Sequence, residues 1–226
     1  MYTTAGCAAI LGALAAPAQA ATETRNVANF DEVVFALPGQ VSIEQGDRET
    51  LTVEAEPAAL RKITTEVHGR RLLIGVAGRM ETQQPIRIKL GVRKLRAFES
   101  RAAGDITIGA LRTDSLSLAL AGGGLIRLER LDDARKLDVR ITGAGDVSIA
   151  GGKATAQQVA ISGLGSYAAP RLASEHADVA IDGKGEVQLA ASATLAVRIA
   201  GVGKVRYHGD PAVTRSISGI GSIEKD

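Results

Sequence analysis

The chain has 226 residues, with 27 Lys and Arg against 25 Asp and Glu and a formal net charge of +2. The two signs are interspersed, which argues against nucleic acid, where a basic stripe is the expected footprint. Three Phe, three Tyr and no Trp leave few aromatic platforms for bases or sugars, and a single cysteine rules out an internal disulfide framework or a Cys-ligated metal.

Residues 1–20 read as a signal peptide. Cys7 to Ala16 is an apolar, alanine-rich run, and Ala18-Gln19-Ala20 has the small-x-small form of a signal-peptidase site, leaving Ala21 as the mature start. The run is too short to span a bilayer, and no Lys or Arg precedes it. Export to the periplasm or cell surface is expected. Thr4-Ala5-Gly6-Cys7 only faintly resembles a lipoprotein site, with Thr4 where Leu is usual, so lipid anchoring at Cys7 is not expected. Residues 21–226 are expected to form a single domain.

From Asn26 to Leu95 the pattern is strand-like but irregular. Val41-Ser42-Ile43, Leu51-Thr52-Val53 and Ile86-Arg87-Ile88-Lys89-Leu90 alternate, and Ile63 to Ile74 reads as a hairpin turning at His68-Gly69. A short helix fits near Pro57 to Lys62. This portion is either a set of degenerate rungs or a cap over an open sheet edge.

Beyond it one phrase recurs seven times: Ala102-Ala103-Gly104, Gly122-Gly123-Gly124, Gly143-Ala144-Gly145, Gly163-Leu164-Gly165, Gly183-Lys184-Gly185, Gly201-Val202-Gly203 and Gly219-Ile220-Gly221. The steps are 20, 20, 21, 20, 18 and 18 residues. A fixed period of this size marks a stacked architecture. Two places before each phrase stand Ser100, Leu120, Ile141, Ile161, Ile181, Ile199 and Ile217; four before, Phe98, Leu118, Val139, Val159, Val179, Val197 and Arg215. Four places after its first position come Ile106, Ile126, Val147, Tyr167, Val187, Val205 and Ile223. Apolar residues at every second place, rich in Val and Ile, describe strands with one buried face. Leu111, Leu131 and Leu172 suggest a third inward contact on the return. The expected fold is all-β: a parallel β-solenoid of about seven regular rungs of 18–21 residues, with a less regular N-terminal β portion. Its bend glycines permit either a positive φ at the corner or close stacking of backbones, and the sequence leaves both open.

Little in the chain points to chemistry. His68, His176 and His208 are scattered without metal-ligand spacing. The glycine phrases open no helix, so they are not phosphate loops. Asp105, Asp146 and Glu186 occupy equivalent places on alternate rungs, about 10 Å apart. That is beyond a retaining carboxylate pair and too far to share one calcium. A solvated charge ladder is the expected reading, with Glu186 followed one rung later by Lys204. No catalytic residue, metal or cofactor is expected.

The phrase Ile141-Thr142-Gly143-Ala144-Gly145-Asp146-Val147, the opening Phe30-Asp31-Glu32-Val33 and Gln40-Val41-Ser42-Ile43, and the closing Tyr207-His208-Gly209-Asp210-Pro211 resemble the bacterial GIN-domain family, named for the heads of auto-transporter adhesins. The resemblance runs from about Asn26 to Ile223. It implies an exported envelope β-solenoid with no established catalytic residues. The expected function is a non-enzymatic binding or structural module, adhesin-like, whose partner is an envelope protein or glycan. The weak candidate contacts flank the bend: Asp105, Thr142, Asp146, Ser162, Asp182, Lys184, Glu186 and Lys204. The rivals are a polysaccharide-acting enzyme on a β-helix scaffold and a protein that self-associates through its solenoid ends.

Overall fold

A computed structural model describes residues 20–226, so the signal-peptide reading up to residue 19, Cys7 included, lies outside the described residues. The chain opens with β1 (Ala21–Arg25), β2 (Glu32–Phe35), β3 (Gly39–Gln45) and β4 (Thr50–Ala55). A one-turn helix, α1 (Pro57–Leu60), leads to the hairpin β5 (Ile63–His68) and β6 (Arg71–Val76), then β7 (Arg87–Val92). Strand pairs follow, each forming one rung. They are β8 (Ala97–Ser100) with β9 (Gly104–Arg112), and β10 (Ser115–Leu120) with the first half of β11 (Gly123–Ile141). The second half of β11 joins β12 (Ala144–Ile149), and β13 (Gly152–Ile161) joins β14 (Leu164–Ala169). The last three rungs are β15 (Leu172–Ile181) with β16 (Lys184–Ala190), β17 (Thr194–Ile199) with β18 (Val202–His208), and β19 (Ala212–Ile217) with β20 (Ile220–Lys225).

Every pairing from β8 onward is parallel, which makes the molecule a β-solenoid of stacked coils. The register is the one the repeat demands. Ile141, Ile161, Ile181 and Ile199 stand one above another, as do Val147, Tyr167, Val187 and Val205, and all eight are buried. A coil has no partner for its apolar face except the next coil, and each buried Val or Ile contributes roughly 1.5–3 kcal/mol once covered. Leu111, Leu131 and Leu172 lie in a third ladder on the return, where Gly152 takes the place between Leu131 and Leu172. One polar group lies in the core: the Tyr167 hydroxyl donates to Gln157 Oε1 (2.9 Å), and Gln157 Nε2 donates to Ser174 Oγ (2.6 Å) and to the Ala190 carbonyl (3.0 Å). Burial pushes the Tyr167 hydroxyl pKa up.

The N-terminal portion is both rung and cap. β2 and β3 form a full rung parallel to β8 and β9, and β6 and β7 form another on the opposite side of it. The earliest rung in the sequence is therefore second in space. β4 then adds to β7, β1 to β4 and β5 to β6, all antiparallel, closing that end. β1 falls outside the strand-like stretch legible in the sequence. Buried Asp31 ties three of the parallel strands at their starts, accepting hydrogen bonds from Arg70 before β6 and Arg96 before β8. At the far end the core column Val159, Val179, Val197 finishes on Arg215, an exposed cation at an inward place.

Close approach is what the bend requires. Of the thirteen bend glycines only Gly124 has a positive φ, at 105°. A Cβ at Gly143, Gly163, Gly183, Gly201 or Gly219 would be driven into the carbonyl oxygen of the glycine one rung before. At the third place, Gly145 and Gly165 meet the same obstacle, while Cβ atoms at Gly185 and Gly203 would lie 2.9 and 2.7 Å from the Cδ1 atoms of Ile161 and Ile181.

Candidate functional site

The middle residue of each glycine phrase lies between two places where no side chain fits, so its own side chain has only one way to go. Parity puts it outside, three places from the inward Val, Tyr or Ile that follows. Ala144, Leu164, Lys184, Val202 and Ile220 stand in register along the corner of the coil. Leu164 is 58% exposed, Val202 44% and Ile220 74%. Together with Ile217, these are the large hydrophobic residues left exposed among the described residues.

Beside this row runs a groove of about 670 Å³. One wall is Leu164, Lys184, Val202 and Ile220; the other is Glu186, Lys204 and Ser222; Gly165, Gly185, Gly203 and Gly221 lie between as the floor. The floor is strand backbone: a side chain at these glycines would point at the rung before or into the core, not into the groove. The outward rows on either side therefore bound a channel parallel to the solenoid axis.

The charges on its polar wall are engaged. Glu186 pairs with Arg206, and Lys204 Nζ lies 2.7 Å from Glu224 Oε2. Hydrogen bonds from Lys204 and Ser222 hold the Glu224 carboxyl below its usual range. Glu186 and Lys204 are register neighbours, as the sequence suggested, but their ion pairs run to the next row of side chains instead. Lys184 has no ion-pair partner among the described residues.

Of the residues singled out from sequence, Lys184, Glu186 and Lys204 come together at the groove. The others do not join them. Asp105 lies towards the N-terminal end in a shallow dish with Gln40, Arg87 and Lys89. Asp146 Oδ1 accepts hydrogen bonds from the Ser166 backbone N–H (2.8 Å) and hydroxyl (2.6 Å). Asp182 receives Arg198 Nη2 on both oxygens, at 2.7 and 3.0 Å. Thr142 and Ser162 are exposed on their own rungs. The carboxylates do not converge; each is spent on a local partner or stands apart. Among the described residues no three His, Cys, Asp or Glu side chains gather as a metal site. His68 meets Glu66 at 2.9 Å, His176 Nδ1 meets Thr194 Oγ1 at 2.8 Å, and His208 lies 3.7 Å from Asp226.

Leu164, Val202 and Ile220 were absent from the sequence-derived contacts. The available signal was an apolar residue flanked by two stacking glycines, hence one denied the core.

The comparisons with known proteins bear on the whole coil. Residues 29–211 match the family described as "Putative auto-transporter adhesin, head GIN domain". No curated protein matches. Among solved structures, a "putative adhesin" from Bacteroides fragilis superposes with a TM-score of 0.85 at 22% identity, covering 92% of this chain and 97% of its own. A "putative adhesin" from Parabacteroides distasonis gives 0.72 at 22% identity, covering 93% and 98%. A protein of the same organism named "putative lipid binding protein" gives 0.70 at 19% identity, with the same coverage of 93% and 98%. At such identities the likeness is one of fold. No helix among the described residues is long and apolar enough to cross a membrane.

Proposed function

The chain belongs to the family of auto-transporter adhesin head GIN domains, and we propose that it is an exported, non-enzymatic binding module of the bacterial envelope, with residues 21–226 acting as one unit. The observation that carries this reading is the corner groove. It sets an exposed row of Leu164, Val202 and Ile220 against a polar wall on a scaffold stiffened by stacking. Buried columns of Val and Ile fix the rungs, so the row is held in place before anything binds. The spread of the carboxylates supports a binding role over catalysis. Neighbours such as Asp105 and Asp146 are two rungs apart, and Asp182 and Glu186 are tied to arginines. The adhesin names of the family and of the structural neighbours agree with this reading.

The test is retention of the chain on outer-membrane fragments, peptidoglycan and an immobilised glycan panel, run beside an assay for released reducing sugar. Retention without release is expected. Release of sugar, or no retention on any surface, overturns the proposal.

A further inference from the structure

The groove restricts what can lie in it. Its floor is backbone already engaged in the parallel ladder from Gly165 through Gly185 and Gly203 to Gly221, so along its length it offers little to an extended peptide, which needs free N–H and C=O groups. No aromatic ring lines it for a sugar to stack on. The apolar wall is one residue wide and four rungs long, far short of the ~800 Å² per partner that a stable protein interface covers. What remains is a slender occupant that asks for apolar contact and no hydrogen bonds.

Its length and charge narrow the class. From Lys184 to Ile220 is two rung steps, about 10 Å at the inter-strand spacing. A single acyl chain spans one leaflet of a ~30 Å hydrocarbon core, about 15 Å, so a tail that starts at Lys184 covers Val202 and Ile220 and runs on past the last rung. Lys184 stands second in the row, and its stem continues the apolar wall while its ammonium is free to rise to the rim. With Glu186 and Lys204 each paired elsewhere, Lys184 is the unneutralised charge of the groove among the described residues.

We propose that the groove takes the aliphatic chain of a single-chain lipid with an anionic head, the tail lying along Val202 and Ile220 and the head meeting Lys184. This rests on the binding-module reading and names a ligand class for it.

The experiment titrates the full chain with parinaric acid, a fluorescent fatty acid, and with its methyl ester, both below micelle formation. Saturable one-to-one binding of the acid is expected, with the ester about tenfold weaker because it lacks the charge that Lys184 meets. Lys184→Gln should lower affinity for the acid to that of the ester. Val202→Asp should abolish binding of both, with an unchanged melting temperature reporting an intact fold. Should that variant not fold, Ile220→Asp at the more exposed place gives the same readout. Absence of saturation, undiminished affinity in both Asp variants, equal affinity for acid and ester, or binding to anionic vesicles without binding of the monomeric acid would each overturn the inference. Retention on envelope fragments without fatty-acid binding removes this inference alone. Fatty-acid binding without retention on fragments removes the envelope-module reading and leaves the groove assignment standing.

Discussion

Asp31 receives both edges of the Arg96 guanidinium, with Nε donating to Oδ2 at 2.6 Å and Nη2 to Oδ1 at 2.9 Å. Burial alone would raise the Asp31 pKa, but the hydrogen bonds from Arg96 and Arg70 outweigh it and hold the carboxyl at about 2. A folded-state pKa below the unfolded one gives stability that is present above about pH 4. It is lost as pH falls towards 2, and its size is roughly 2 kcal/mol. Urea unfolding across that range should show this acid limb, and Asp31→Asn should flatten it. An identical limb in the variant would assign the acid sensitivity to other carboxylates.

Glycine substitutions should separate strain from collision. At Gly46 an added Cβ meets nothing and φ is ordinary, so Gly46→Ala is expected to leave stability within about 0.5 kcal/mol. Gly69 also has open space but φ +63°, and Gly69→Ala should cost about 1 kcal/mol. Gly165→Ala drives a methyl into the Gly145 carbonyl and should cost about 1–3 kcal/mol by overpacking. Gly124 combines the two faults and should be worst. Gly221→Ala should cost less than Gly165→Ala, because the last rung can move outward. Thermal melts of the series would show the order; equal shifts at Gly165 and Gly221 would mean that place in the stack is irrelevant.

Tyr167→Phe removes the donor to Gln157 Oε1 inside the core and leaves that oxygen without its partner. A loss of about 1–3 kcal/mol is expected. Combined with Gln157→Leu, the two losses should fall short of additive, since one hydrogen bond is removed twice. Additive losses in denaturant titrations would show that the pair is not coupled.

Asp105→Asn, Asp146→Asn and Glu186→Gln should each leave stability within about 0.5 kcal/mol, as expected of exposed groups. None should change a glycan-cleavage assay from its baseline. Turnover of any polysaccharide that disappears in Asp146→Asn would replace the binding module with an enzyme.

Arg215→Leu should promote self-association, read by sedimentation velocity. Arg215 stands in the column above Val197, an inward place where neighbouring rungs carry valine. Inward-facing charge on an edge strand opposes pairing with another sheet, and its removal exposes an apolar rung end. A variant that sediments as the native chain does would show that Arg215 does not guard this edge.

The coil was legible in the sequence because its physics is repeated. Every rung after the first carries Leu or Ile two places before the bend, all seven carry Val, Tyr or Ile four places after its first position, and so many copies leave little room for another register. The hairpin at His68-Gly69 and the helix at Pro57 were local signals and needed no long-range knowledge. What could not be read was the placing of β2 and β3 between β6–β7 and β8–β9, since pairing partners of non-repeating strands leave no periodic trace. The reason for the glycines needed coordinates as well: positive φ and close approach call for the same residue. The groove was half legible. Lys184, Glu186 and Lys204 stood out as charges near the bend, while Leu164, Val202 and Ile220 look in sequence like ordinary core residues.

The position of β2 and β3 makes the two ends of the molecule unlike, and it couples strands far apart in the chain. A chain delivered from its N-terminus cannot stack these strands as they emerge, because Glu32 waits for Arg71 on one side and Ala97 on the other. Until both arrive, the first-made rung is bare on two flanks. Once they arrive that end is sealed by β1, β4 and β5. The opposite end has no such cover: β19 and β20, the latter carrying Ile220 of the groove, each pair with one strand only.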